Sequence, residues 1–308
     1  MTKALGIVVN PTAGAGRAKQ AGAKAVAALA ARGYEIANLS ATDFSGARAS
    51  AKEGMVKGID ALIVVGGDGM TSLGVNAVAN TSLPLGIIAE GTGNDVARGL
   101  RLPIRDTKSV VRIIDEALQA GATRPFDAVR VTNAVHPRME YWYAGALSVG
   151  FDAAVNTRAN AMTWPSGRGR YVRALLAELA RFRPFGYRVI VDGSVREIAG
   201  TLVCVANSPA IGGGMRIAPD ARSDDGLADV IVAGALSRRG VLRTFPKLYK
   251  GTHMSHPQVS MERGRVIVIE PEPALGQLPP PAMADGEPVG PLPLRCEVVP
   301  GAVRILAE

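Results

Sequence analysis

Asp68 lies in Val64-Val65-Gly66-Gly67-Asp68-Gly69-Met70, directly after a compact apolar run and between glycines. A carboxylate there can hold Mg²⁺ on a nucleotide, accept a hydroxyl proton, or bond the amides of its own turn. Two more glycine turns follow apolar runs in the same half of the chain, Asn10–Gly16 and Gly91–Asp95. In a parallel sheet all three turns fall at the carboxyl edge of the strands, where α/β folds bind ligands. Glycine lets a ligand approach the backbone closely, and the amides at a following helix N-terminus favour phosphate. Three such turns together point to a polyphosphate. Asn94 and Asp95 can also cap the next helix. The common nucleotide signatures are missing. There is no GxxxxGK[ST], and Lys19 stands where a dinucleotide fingerprint beginning at Gly14 and Gly16 would carry glycine.

Two acidic groups lie in the second half. Ser223-Asp224-Asp225-Gly226-Leu227-Ala228-Asp229 packs carboxylates closely enough for a hard cation, although the spacing is not that of an EF-hand, and a solvated acidic turn fits equally. Asp285-Gly286-Glu287 sits in an apolar, Pro-rich stretch, where it can form a hairpin turn or present a general base. Two segments are strongly basic. From Arg158 to Arg188 there are seven arginines and one acid, Glu178, with Tyr171, Leu175, Leu179 and Phe182 at helical spacing. Arg238, Arg239, Arg243, Lys247 and Lys250 form a second run without an acid. Such helices can dock on anionic headgroups or simply turn a charged face to water.

The elements that must position these groups read in two textures. Through Asp127, strand-like runs (5–10, YEIANLS, ALIVVGGDG, PLGIIAEG) alternate with helical stretches (17–32, 44–57, 71–79, 107–119). Alternation of this kind implies an α/β domain with a parallel, doubly wound sheet over 1–127. Residues 128–308 read as strands separated by hairpin signals such as Asp192-Gly193, with one helical insertion near 169–183. This predicts a mainly antiparallel, β-sandwich-like C-terminal domain whose tail is free to return to the first.

Composition narrows the partners. The 308 residues carry a formal net charge of +8, with 47% hydrophobic and 20% charged residues. A basic chain attracts nucleic acid, anionic membranes or phosphorylated molecules. Aromatic residues at 5% argue against stacking on single-stranded nucleic acid. Cys204 and Cys296 lie in apolar runs and read as buried free thiols of a reducing cytoplasm. His136, His253 and His256 lack zinc spacing. The N-terminus has no signal-peptide layout, and no run of 18 apolar residues could span a bilayer. A cytoplasmic protein, meeting any membrane peripherally, is expected.

Taken in order, VVNPTAGAG, GGDGM, PLGIIAEGTGNDVAR, ANSPAIGGGMRIAPDARSDDGLADVIV and MADGEP with VPGAVRIL resemble the diacylglycerol kinase catalytic-domain family, which includes bacterial lipid kinases and sphingosine kinases. The resemblance runs almost the whole length. It implies a nucleotide-binding domain over 1–127, a lipid-substrate domain over 128–308, and an active site between them. ATP would be held by Asn10, Pro11, Thr12, Ala13, Gly14, Thr42, Gly66, Gly67, Asp68, Gly69, Met70, Thr71, Ser72, Thr92, Asn94 and Asp95. Asp224, Asp225, the carbonyl of Leu227, and Asp229 would bind a structural Mg²⁺. Glu287, then Asp285, would be the proton acceptor, with Asp68 a further candidate from the sphingosine-kinase branch. Met70 departs from the family's GGDGT and removes a hydroxyl, which Thr71 could replace.

The function so implied is transfer of the γ-phosphate of ATP to a lipid hydroxyl, with diacylglycerol the first candidate and phosphatidic acid the product. Partners would be the lipid at a membrane surface and anionic headgroups, not nucleic acid; a homodimer is left open. An NAD kinase-like phosphotransferase and a non-catalytic nucleotide or lipid sensor are the competing readings. The GTGND segment and the DGE motif favour the lipid.

Overall fold

The computed structural model describes residues 2–41, 43–136, 138–165 and 168–307. The chain divides into two compact units, Met1–Ala128 with Val299–Glu308, and Val129–Val298.

In the first unit, β1 (Ala4–Val9), α1 (Arg17–Ala30), β2 (Glu35–Asn38), α2 (Phe44–Val56), β3 (Ala61–Gly66), α3 (Asp68–Val78), β4 (Leu85–Ala89), α4 (Asp95–Gly99) and α5 (Thr107–Ala120) follow in turn, and β5 (Arg124–Thr132) leads out of it. The strands pair in parallel in the order β2-β1-β3-β4. Every residue of β3 and β4 is buried, as expected of parallel strands covered on both faces. Leu29 of α1 and Ile114 of α5 pack on Leu5, Ile63 and Ile88. α2 and α3 pack together, α2 against β1 and α3 against β3 and β4. Gly74 admits α3 to the sheet, since a Cβ there would lie 2.7 Å from Leu85 Cδ1.

The second unit is built from β6 (Glu140–Tyr143), β7 (Ala146–Gly150), α6 (Phe151–Ala161), α7 (Arg168–Arg181), β8 (Phe185–Val191), β9 (Ser194–Ala206), β10 (Ala228–Gly234), α8 (Arg238–Leu248), β11 (Val259–Gly264), β12 (Val266–Pro271), β13 (Ala282–Ala284), β14 (Glu287–Gly290) and the first part of β15 (Leu294–Ile305). Its strands pair antiparallel in the order β14-β13-β7-β9-β8-β12-β15, with β10 bridging β9 and β11. β9 pairs with β8 through Gly200 and with both β7 and β10 beyond it. Val149, Tyr187, Val205, Val230, Ile267 and Cys296 lie in the fully enclosed core. Two tight turns join neighbouring strands. Asp192-Gly193 (φ 46° and 90°) links β8 to β9, and Asp285-Gly286 (φ 49° and 83°) links β13 to β14. Asp-Gly supplies the two positive φ angles that such a turn demands. The helical content exceeds the single insertion expected near 169–183. α6 precedes it, because Phe151, Val155 and Ala159 find a separate core with Leu175 and Leu179.

The end of β15 returns to the first unit, where Ile305 pairs in parallel with Leu85 of β4. Buried Asp127 accepts the Gly301 amide at 2.8 Å and fixes this return. Asp127→Ala should therefore cost about 1–3 kcal/mol. Chemical denaturation would register this; an unchanged midpoint would show that the strand is held without it.

Candidate functional site

The first unit brings its three glycine turns together. Asn10 N donates to Val65 O at 3.1 Å and extends the ladder one residue past β1. The Asn10 carboxamide then accepts Thr12 N and Thr12 Oγ1 at 3.1 and 2.8 Å, which turns the chain over the sheet edge. Gly14 (φ +61°) passes so close to the third turn that a Cβ would lie 2.1 Å from Glu90 O. Where the second and third turns pass closest both residues are glycine, since a Cβ on Gly91 would lie 2.4 Å from Gly67 Cα. α1 and α3 begin at Gly16 and Gly67 without a side-chain cap, so neither N-terminus has a side-chain acceptor.

Asp68 is the clasp of this arrangement. Its Oδ2 accepts Asn94 N and its Oδ1 accepts Asp95 N, both at 2.8 Å. The carboxylate caps α4 from another turn, while Asn94, in left-handed conformation, bonds Gly91 N and O with its carboxamide. Both oxygens thus already serve the backbone, which weakens the sequence expectation that Asp68 is free as base or metal ligand.

Other expected contacts divide by exposure. Pro11, Thr12 and Thr92 are exposed, and Ala13, Gly14, Gly67 and Gly69 are half-exposed around them. Met70, Thr71 and Ser72 are buried, as are Gly66, Asn94 and Asp95. α3 starts at Asp68, so residues 70–72 already turn inward, and Met70 packs over Gly66. Thr71 therefore does not offer its hydroxyl in place of the one missing at Met70. Thr42 lies outside the described residues.

Sequence reasoning missed three arginines. Arg17 Nη2 donates to Glu90 O (3.5 Å), Arg105 Nη2 to Gly91 O (3.3 Å) and Arg98 Nε to Gly93 O (3.0 Å). They surround the third turn with positive charge. Their signal in the sequence was weak, beyond the place of Arg17 after Gly16 and of Arg98 after Asn94-Asp95.

In the second unit the paired acids of the DGE motif separate into two roles. Asp285 Oδ1 accepts Gly145 N and Ala146 N, and Oδ2 accepts Ala144 N, each at 3.0 Å. Gly145 is needed for this, since a Cβ there would lie 2.4 Å from Asp285 Oδ1. Asp285 is therefore a staple, contrary to its expected standing as a second base. Glu287, half-buried two residues on, receives no side-chain hydrogen bond among the described residues. Burial pushes its carboxyl above the usual range.

The acidic loop before β10 is occupied by guanidinium groups. Asp224 pairs with Arg222 at 3.1 Å. Arg263 lies opposite Asp229 in the β10–β11 register and pairs with both Asp225 and Asp229. Asp225 Oδ1 also accepts Leu227 N. Burial raises the Asp229 carboxyl and Arg263 opposes the rise. Asp229 Oδ2 alone is buried without a partner, whereas a hard cation takes six or more oxygens. Among the described residues no group of three or more acids, histidines or cysteines is placed to hold a metal. Engaged by guanidinium groups in this way, these residues do not fit a resident Mg²⁺.

An apolar cavity lies between β9, β10 and the helices of the second unit, lined by Phe151, Leu175, Ile231, Val241, Phe245 and Leu248 among others. Its polar wall is Asp152, which accepts Tyr171 OH (2.7 Å), Ser148 Oγ (2.8 Å) and Asn156 Nδ2 (3.2 Å). His253, buried at the same cavity, donates Nε2–H to Ile217 O at 3.0 Å, and burial lowers its pKa.

Two predictions follow from these contacts. Asp68→Asn sets an amide against two N–H donors; it should lower stability by about 2 kcal/mol and weaken nucleotide binding. Unchanged melting and unchanged ATP titration would remove Asp68 from its role as clasp. Arg263→Ala strands Asp225 and Asp229 and should cost about 1–3 kcal/mol, while EDTA leaves the melting temperature of the unaltered protein where it was. A drop on chelation would show that a cation, not Arg263, holds the loop.

Comparison with known proteins agrees with this two-part layout. Residues 4–131 match the family described as diacylglycerol kinase catalytic domain, and residues 145–307 match the YegS C-terminal NAD kinase beta sandwich-like domain. A diacylglycerol kinase of Mycobacterium tuberculosis (strain CDC 1551 / Oshkosh) is 38% identical over 97% of this chain and 93% of its own. In fold, the chain is similar to a diacylglycerol kinase of Bacillus anthracis str. Sterne (TM-score 0.69, 21% identity, 99% of this chain and 97% of that one). It is also similar to yeast NADH kinase (TM-score 0.57, 13% identity, 99% and 82%). With both parts matched in order and so close a relative along nearly its whole length, the chain belongs to the diacylglycerol kinase family of lipid kinases.

Proposed function

We propose that this lipid kinase transfers the γ-phosphate of ATP, supplied with Mg²⁺, to the free hydroxyl of diacylglycerol, giving phosphatidic acid. The observation that carries the reading is the state of Glu287. Of the three carboxylates considered as base, Asp68 and Asp285 have both oxygens bonded to backbone amides, and Glu287 is unencumbered with a raised pKa. A base poised nearer neutrality accepts a hydroxyl proton more effectively.

Each unit would supply one part of the chemistry. The uncapped helix N-termini behind Gly16 and Gly67, with Arg17, Arg98 and Arg105, would neutralise and orient the triphosphate. The lipid oxygen then attacks the γ-phosphorus, the bond to the β-phosphate oxygen breaks, ADP leaves, and the hydroxyl proton passes to Glu287. The choice of an acyl lipid over a soluble acceptor is supported by the diacylglycerol kinase relative that matches nearly the whole chain.

Glu287→Gln tests this. Turnover should fall about 10²- to 10⁴-fold, and the wild-type rate should rise with pH through the raised carboxyl value. Stability should move the other way. Because the folded state favours the protonated acid, Glu287 contributes stability below its unfolded pKa and withdraws it as pH rises through the folded value. The Gln variant should thus melt at or above wild type at neutral pH, with the gap closing in acid. A variant that keeps its activity would remove Glu287 as base.

A further inference from the structure

Glu287 stands on a weakly supported strand. β14 is four residues long and forms the edge of its sheet, paired among the described residues with β13 alone. Regular register lasts for two residue pairs, Ala284 with Glu287 and Met283 with Pro288, before a shift to Ala282 with Gly290. Pro288 has no amide to offer a further strand, so the outer side of β14 stays open. The far end is held by Asn133 Nδ2, which donates to Pro291 O at 2.9 Å. The near end is the Asp285-Gly286 turn, and it is tied at two points. Asp285 accepts the amides of Ala144, Gly145 and Ala146. Gly286 offers only its carbonyl, which accepts Asn160 Nδ2 at 3.1 Å.

Asn160 reaches this carbonyl from the last turn of α6, 126 residues away in sequence. Asp152, Asn156 and Asn160 follow one another at intervals of four, which sets them along one face of the helix. The row is anchored at its start, where Asp152 accepts Ser148 Oγ, Tyr171 OH and Asn156 Nδ2. Its last member is exposed, and asparagine forms helix less readily than alanine, so neither the core nor the helix asks for this residue. The hydrogen bond does ask for it. The peptide that accepts the bond joins Gly286 to Glu287, and fixing its carbonyl fixes the plane from which the Glu287 side chain departs. Glycine at φ +83° would otherwise let that plane swing. We propose that Asn160 is a positioning residue of this kinase, which aims the Glu287 carboxylate at the lipid hydroxyl by holding the Gly286 carbonyl. This rests on the reading of Glu287 as the base.

The test compares four proteins on diacylglycerol in mixed micelles with Mg²⁺ and γ-labelled ATP: wild type, Asn160→Ala, Glu287→Gln and the double variant. Asn160→Ala removes the donor while favouring the helix, so the melting temperature should hold. Its kcat should fall about tenfold, because a small misplacement of a reacting group is costly. KM for ATP and for the lipid should stay within about twofold, since neither is bound by Asn160. Asn160→Gln, which keeps the amide donor on a longer arm, should recover most of the lost rate. With Glu287→Gln already in place, Asn160→Ala should cost nothing more, because the two residues act as a unit. An unchanged kcat, an equal loss in both backgrounds, a loss carried by KM, or no recovery in Asn160→Gln would each overturn the positioning role. Each of these results is compatible with an inactive Glu287→Gln. Full activity of Glu287→Gln alone would overturn the reading of the base, and the role of Asn160 with it.

Discussion

The glycine-turn edge of the first unit depends on one carboxylate held between two turns. Asp68 leaves β3 and caps α4, so the second glycine turn cannot move without the third. The cap works beside the backbone bonds of Glu90 N and Gly91 N to Gly66 O, and together they hold Gly67 against Gly91. Around the same edge lie the uncapped helix N-termini at Gly16 and Gly67 and the arginines on the carbonyls of Glu90, Gly91 and Gly93. An acid in a glycine turn reads first as chemistry; here its charge is used to join two turns.

The second unit repeats the theme with different parts. Asp285 occupies a left-handed turn position and gathers three amides from the β6–β7 connection. That staple fixes the hairpin from which Glu287 projects without a bonded partner. Arg263 does the equivalent for Asp225 and Asp229, by cross-strand register rather than by a turn. In each case one acid of a cluster is spent on geometry, and the value of its neighbour depends on that expenditure.

The architecture was legible because its causes are local. Unbroken apolar runs such as Ala61–Gly66 followed by glycine mark buried parallel strands, and Asp192-Gly193 marks a hairpin by its φ requirement. α6 was missed because its sequence has little amphipathic pattern, and tertiary packing of Phe151 and Val155 decides it. The site was half legible. Glycine turns and acids could be found by spacing, but which acids are free could not. The partners of Asp285 lie 139 to 141 residues away, and those of Asp68 lie 26 and 27 away. Met70 shows the same limit. Its departure from the expected threonine looked like a lost phosphate contact, whereas the side chain is buried over Gly66.

The reading of this chain as an ATP-dependent kinase of an acyl lipid is most directly tested by following the label. The purified protein, Mg²⁺ and γ-labelled ATP are incubated with diacylglycerol, sphingosine and ceramide in mixed micelles, and with NAD in a parallel tube. The predicted result is label in an extractable lipid that migrates as phosphatidic acid, from the diacylglycerol tube. Label confined to NAD would contradict it, and would make the likeness to the NADH kinase fold one of activity as well.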